Sequence, residues 1–360
     1  MIASMRTSLG VGMGFVGALA LIAGCGGSSA STATSSAATT AGTSGSSPCE
    51  GGAPAGWPSV LVVGPGQGPA LYADRDDNAP PFGYLSEGVR VRVNCAPANG
   101  RLNVTVGGQM VVHGWVPLSR LVAYVNQRGR IDGTPAYLGM NDPISIVSQS
   151  SDGSFRVEIR PRLGRAGAAD LGPFVGSVPA DWVVDHPEAD GDTGLNGGEY
   201  RRLPAGTEVP VYDRPSGAVI ARLPALDPPL TVVVIRTRDG WNGVRVGVGP
   251  FLVGYIQGDL EASTADALGT RPTAPATTVA EGQMPQRIAV EEGALYRVAS
   301  GTWVRFYGEQ VARPRADAWA REMSRTTGSV DVDVYVAVDD AVAVRGVVPS
   351  AALTRVTEGQ

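Results

Sequence analysis

Val89-Arg90-Val91-Arg92-Val93 carries an apolar residue at every second position, and this two-residue period limits the fold more than any other feature. The same alternation returns in residues 155–159 (Phe-Arg-Val-Glu-Ile) and 331–336 (Asp-Val-Asp-Val-Tyr-Val). A period of two puts one side-chain set on a buried face and the other in solvent, as in a half-buried strand. Asn99-Gly100 and Asp239-Gly240 fall where hairpins would turn. An all-β fold is expected. The one sustained helical candidate is residues 315–325, rich in Ala, Arg and Glu.

A repeated ending divides the chain. Gly114-Trp115-Val116-Pro117, Gly176-Ser177-Val178-Pro179, Gly254-Tyr255-Ile256-Gln257 and Gly346-Val347-Val348-Pro349 share one form. A matching opening pairs Gly68 with Tyr72, Gly133 with Tyr137, Gly206 with Tyr212 and Gly293 with Tyr296. From opening Tyr to closing Gly the spans are 42, 39, 42 and 50 residues, too uneven for a solenoid, so tandem small domains are expected. The longest span reads as a fourth module with an insert.

The third module resembles a bacterial SH3-like domain. It has an opening strand ending in Tyr212, a Pro215-Ser216-Gly217 turn, a central run 232–235, Gly240-Trp241, and a closing Gly254-Tyr255-Ile256. The first module keeps Leu71-Tyr72, Gly83-Tyr84-Leu85 and Gly114-Trp115-Val116 without an internal Gly-Trp. The fourth keeps its two ends, and the second matches least, with Phe155 near the place of Trp241 and Ser177 for the aromatic. The resemblance implies modules at 49–124, 125–186, 199–261 and 284–358, with linkers at 187–198 and 262–283. The composition of those joins suggests an N-terminal pair followed by two more mobile modules.

At the N-terminus, Leu21-Ile22-Ala23-Gly24-Cys25 resembles a bacterial lipobox. Arg6 supplies a positive n-region, and residues 9–22 are apolar or small, the length of a signal h-region. The resemblance implies a signal peptide at 1–24 and lipid attachment at Cys25. More than one acyl chain would give stable anchoring. With Gly26 rather than Asp after the Cys, it favours the outer membrane, facing periplasm or cell surface, where the organism has one. Residues 26–47 hold only Gly, Ser, Ala and Thr, so 25–48 is expected to be a disordered tether reaching about 26 Å. In such an oxidising compartment, Cys49 and Cys95 are most simply a disulfide; closing that loop would stabilise by about 4 kcal/mol. A Cys nucleophile is the alternative, with His113 and His186 as the two histidines of the chain.

Arg6 lies in the signal peptide, so 28 basic residues face 34 acidic ones in the mature chain. A mildly acidic chain without a basic run argues against a nucleic-acid partner. Every basic residue is Arg, so contact with the cell wall is expected to be non-covalent, with no lysine to carry a link.

Tyr72, Tyr84 and Trp115 in the first module, with Tyr212, Trp241 and Tyr255 in the third, are the ligand candidates. The SH3-like resemblance implies a groove beside the opening loop and closing strand, where aromatic faces suit an extended peptide, a proline-rich segment or a sugar ring. Alternatively these rings pack small-barrel cores or edges; on that reading Trp241 is the core residue and Trp115 the surface one. Asp74, Asp76, Asp77 and Asn78 crowd one loop without the turn Gly and bidentate acid of a calcium site, and no metal is expected there. No hydrolase, zincin or nucleotide-loop motif is present, so neither enzyme activity nor a cofactor is expected. The resemblance implies a lipoprotein whose SH3-like modules bind peptidoglycan or envelope peptides. The alternative is a non-catalytic assembly subunit of an envelope complex.

Overall fold

The computed structural model describes residues 52–357 except 67, 77, 165–168, 188–196, 269–283 and 290. The expected signal peptide and tether, Cys25, Cys49 and most of both expected linkers lie outside the described residues.

The alternating segments form strands, and the protein is almost entirely β. The first module comprises β1 (Val60–Val63), β2 (Ala70–Tyr72), β3 (Pro81–Leu85), β4 (Arg90–Val93), β5 (Arg101–Val106), β6 (Met110–Pro117) and β7 (Leu121–Val125). They pair antiparallel in the order β3-β2-β6-β5-β4-β1-β7. The third module, β16 (Glu199–Arg202), β17 (Val209–Tyr212), β18 (Val219–Leu223), β19 (Thr231–Arg238), β20 (Trp241–Val246), β21 (Phe251–Gln257) and β22 (Glu261–Ala262), repeats that order as β18-β17-β21-β20-β19-β16-β22. So does the fourth: β23 (Leu295–Val298), β24 (Val304–Phe306), β25 (Glu309–Pro314), β26 (Ala318–Ser324), β27 (Asp331–Ala337), β28 (Val342–Pro349) and β29 (Leu353–Arg355).

The second module borrows β7 as its first strand and continues through β8 (Gly129–Arg130), β9 (Ala136–Leu138), β10 (Pro143–Gln149), β11 (Phe155–Ile159), β14 (Phe174–Val178) and β15 (Val183–Val184). A bridge between Asp132 and Ser177 supplies its second-to-sixth contact. The module boundary expected at residue 124 therefore falls inside a shared strand. A hairpin of β12 (Arg162–Leu163) and β13 (Ala169–Asp170) projects from it and places Leu163 and Leu171 in the core of the third module.

The repeated ending has a structural cause. A Cβ on any of the four closing glycines would meet the second strand's carbonyl: Tyr72 O at 3.1 Å from Gly114, Asp132 O at 2.2 Å from Gly176, Tyr212 O at 2.8 Å from Gly254 and Arg305 O at 2.5 Å from Gly346. At Gly176, Gly254 and Gly346 the sixth strand crosses the second too closely for a side chain without a backbone shift, and at Gly114 the fit is tight. Pro117, Pro179 and Pro349, with φ of −56°, −59° and −60°, each lead into one 3₁₀ turn before the seventh strand. Asn99-Gly100 and Asp239-Gly240 both carry two successive positive φ values, as a two-residue hairpin turn requires.

Three expectations are corrected. Residues 315–325 are not helical. Ala318–Ser324 is β26, with Ala318 and Ala320 buried and β23 and β27 on either side. A segment this short is marginal as a free helix, and two flanking strands offer it a full ladder instead. The fourth module also has no insert, because Tyr296 lies on its first strand. Arg305 takes the place of Tyr72 and Tyr212 opposite the sixth strand, 41 residues before Gly346. In the second module that place belongs to Asp132, and Tyr137 lies on the third strand.

Nor do the third and fourth modules hang loosely. The described residues belong to one compact unit. β25 pairs with β6, β28 with β3, and β9 with β21. The first, second and fourth modules share a continuous buried core. Strand edges carry unmet N–H and C=O groups, and these joins satisfy them. Two short helices, α1 (Ala265–Leu268) and α2 (Gln286–Ala289), complete the described structure. Among the described residues no helix is long and apolar enough to cross a membrane.

Candidate functional site

In the third module Val244, Val246, Leu252 and Ile256 point into the core, so the intervening residues of β20 and β21 face outward. Tyr212 ends β17 directly opposite Tyr255, and Tyr255 stands opposite Gly243. Trp241, opposite Gln257, meets Tyr212 edge to face with ring centroids 5.2 Å apart. The guanidinium of Arg236 lies 5.0 Å from the Tyr255 ring centre. Its side chain passes over Gly243, where a Cβ would come within 2.8 Å of Arg236 Cγ. All three rings are half-buried and none belongs to the core cluster, while Arg236 is exposed. The result is an outward strip of three π surfaces beside an exposed guanidinium that rests on one of them.

The first module builds the equivalent place differently. Tyr72 faces Trp115, as Tyr212 faces Tyr255, and Arg101 occupies the position of Trp241. The Arg101 guanidinium stacks on Tyr72 with Cζ 3.7 Å from the ring centre. Its Nη1 donates to the carbonyls of Asp74, at 3.0 Å, and Asp76. The loop of clustered carboxylates thus turns its carbonyls to a cation of the chain itself. Arg101 is 7% exposed and Trp115 is 8% exposed, so this face is closed.

The two tryptophans are therefore reversed from the sequence-based expectation: Trp115 is buried and Trp241 is partly open. The difference lies in the residue that covers the neighbouring Tyr, a loop-anchored Arg in one module and a bare indole edge in the other. Arg101 and Trp241 each stand 13 residues before their closing glycine, the one sequence signal that relates them. Tyr84 does not join Tyr72 and Trp115. It lies on β3 opposite Ala70 and Ala343, at the seam with the fourth module, with Arg287 over its ring at 5.6 Å. Phe155 does not correspond to Trp241 either. It is opposite Val178 and fully buried, and a one-residue shift along a strand exchanges faces. Asp132 with Ser177, and Arg305 with Val347, leave the second and fourth modules without this aromatic pair.

Cys95 is disulfide-bonded. The other two cysteines, Cys25 and Cys49, lie outside the described residues. Among the described residues no group of three or more His, Cys, Asp or Glu side chains could hold a metal ion.

His113 on β6 pairs through Nδ1 with Thr105 Oγ1 at 3.0 Å. Desolvation first, and the nearby charge of Arg92 second, hold its pKa below 6.5. The fold thus favours neutral imidazole. Its contribution to stability is complete above the ordinary histidine range and is lost as pH falls through that range toward the lowered value. The thermal midpoint is expected to drop between about pH 7.5 and about pH 5.5 by less in His113→Gln than in the parent chain. Equal drops would show that His113 does not contribute.

Comparison with known protein families, with curated proteins and with solved structures finds no match for this chain.

Proposed function

We propose that the protein is a lipid-anchored, non-catalytic envelope lipoprotein whose SH3-like barrels bind peptidoglycan stem peptides or related envelope peptides without a covalent link. The observation that carries this reading is the open strip of Tyr212, Trp241 and Tyr255 beside Arg236. Three rigid rings offer apolar contact at little conformational cost, and an exposed guanidinium can take a peptide carboxylate in a two-pronged hydrogen bond. The closed face of the first module favours the third as the binding module on this reading. Attachment through Cys25 and a flexible tether would hold that face within reach of the wall.

The test is co-sedimentation of the soluble part, residues 49–360, with purified peptidoglycan sacculi. Saturable binding is expected, weakened about tenfold or more by Trp241→Ala or Tyr255→Ala, the effect of removing a central aromatic anchor. Trp115→Ala should instead lower thermal stability and leave binding by the folded fraction intact. Absence of sedimentation at any concentration would sink the reading and leave the assembly-subunit alternative in front.

A further inference from the structure

The outer edge of a third strand is a docking device in this chain, and three of the four are in use. Gly83-Tyr84-Leu85 faces Val344-Ala343-Val342, Ala312-Arg313-Pro314 faces Val112-Val111-Met110, and Ala136-Tyr137 faces Leu252-Phe251. In each case the occupant is the apolar opening of another module's sixth strand, running antiparallel. A bulge between second and third strands aligns the copies: Leu71 pairs with Gly83, Val304 with Ala312 and Val211 with Ala221.

The corresponding residues of the third module are Ala221, Arg222 and Leu223. They keep the pattern of the occupied edges, a small residue, then Tyr or Arg, then Leu or Pro. Yet among the described residues β18 pairs with β17 alone and ends its sheet. Burial agrees. Ala136 and Ala312 are fully buried under their occupants, whereas Ala221 stays partly exposed and Val219 is 42% exposed. Among the described residues no sixth-strand opening is left to fill the place. In the second module the positions that would serve, counted from Ser177 as Met110–Val112 are counted from Trp115, include Gly172 and Pro173. Pro173 has no N–H to give a ladder.

We propose that the outer edge of β18 docks an extended apolar strand of another protein, added antiparallel through main-chain hydrogen bonds. The occupant's chemistry is that of the three internal examples, a Val-rich triplet beginning a strand. A second copy of this chain does not fit, since its own openings are covered or carry Pro173. Main-chain bonds supply the attraction, and the small side chain of Ala221 supplies the clearance for the apolar triplet. The inference is independent of wall binding by the aromatic strip.

The probe is a peptide with the sequence of residues 338–349 of this chain, added to the soluble chain 49–360. Saturable binding is expected, with slowed hydrogen exchange at the amides of Val219–Leu223. Arg222→Pro, which removes an edge N–H, and Ala221→Lys, which sets a charge at the small position, should each weaken binding about tenfold or more; Trp241→Ala should leave it unchanged. The second variant guards against misfolding of the first. The proposal is overturned by no slowing of exchange in β18 at saturating peptide, or by unchanged binding to folded Ala221→Lys. It is equally overturned by a concentration-dependent dimer of the free chain that protects the same amides.

Discussion

A chain ending at residue 283 is expected to lose the cooperative unfolding of its first module along with its fourth. The two modules hold each other reciprocally: β28 covers the outer edge of β3, and β25 covers the opening of β6. Around those ladders Phe82 and Phe306 meet with ring centres 5.7 Å apart, and Ser86 N donates to Ala341 O at 2.9 Å. Truncation would uncover Leu85, Met110 and Val112, all buried in the whole chain, and leave two bare strand edges. A module of this size has little core of its own, so it has no surplus to meet that loss, and bare apolar edges favour aggregation. The thermal midpoint of the truncated chain, followed by tryptophan fluorescence, should fall by more than about 10 °C or give way to precipitation. An unchanged midpoint would mean that the two modules are energetically separate despite their shared ladders.

Alanine at the closing glycines should cost very different amounts according to what the new methyl meets. At Gly346 it would stand 2.5 Å from Arg305 O and 2.7 Å from Val304 Cγ1, and at Gly176 it would stand 2.2 Å from Asp132 O. Backbone must move to admit it. At Gly114 the nearest atoms are Phe82 Cζ at 3.0 Å and Tyr72 O at 3.1 Å, a contact that a few tenths of an ångström relieve. Gly346→Ala is expected to lower the unfolding free energy by about 3 kcal/mol and Gly114→Ala by about 1 kcal/mol, the span usual for overpacking. Denaturant titration of both variants measures the difference. Equal costs would show that the sixth strand can slide from the second without loss.

Much of this was legible in the residues. The alternation at Val89–Val93 and residues 331–336 marks strands because a side-chain period of two has no helical counterpart. Asp239-Gly240 marks a hairpin because few other pairs accept two positive φ values. The repeated Gly-x-Val-Pro marks the strand crossing and the turn after it. Tyr212, Trp241 and Tyr255 were recognisable as one group, since the closing glycine sets their spacing. Arg236 was not, because it reaches the rings by lying across Gly243, and no spacing along the chain announces that.

The remaining features depended on neighbours in space. Residues 315–325 carry helix-forming composition but lie between two strands that complete a ladder. Trp115 and Trp241 exchanged their expected environments because Arg101, anchored by the carbonyls of a loop, covers one face and nothing equivalent covers the other. Which module pairs with which was likewise decided only by the tertiary structure. Period, turn chemistry and close-packed glycines are local properties, written in side chains a few residues apart. The N–H and C=O groups of a strand edge are the same whatever the sequence, so the partner they find is set by which edge the rest of the fold brings within reach.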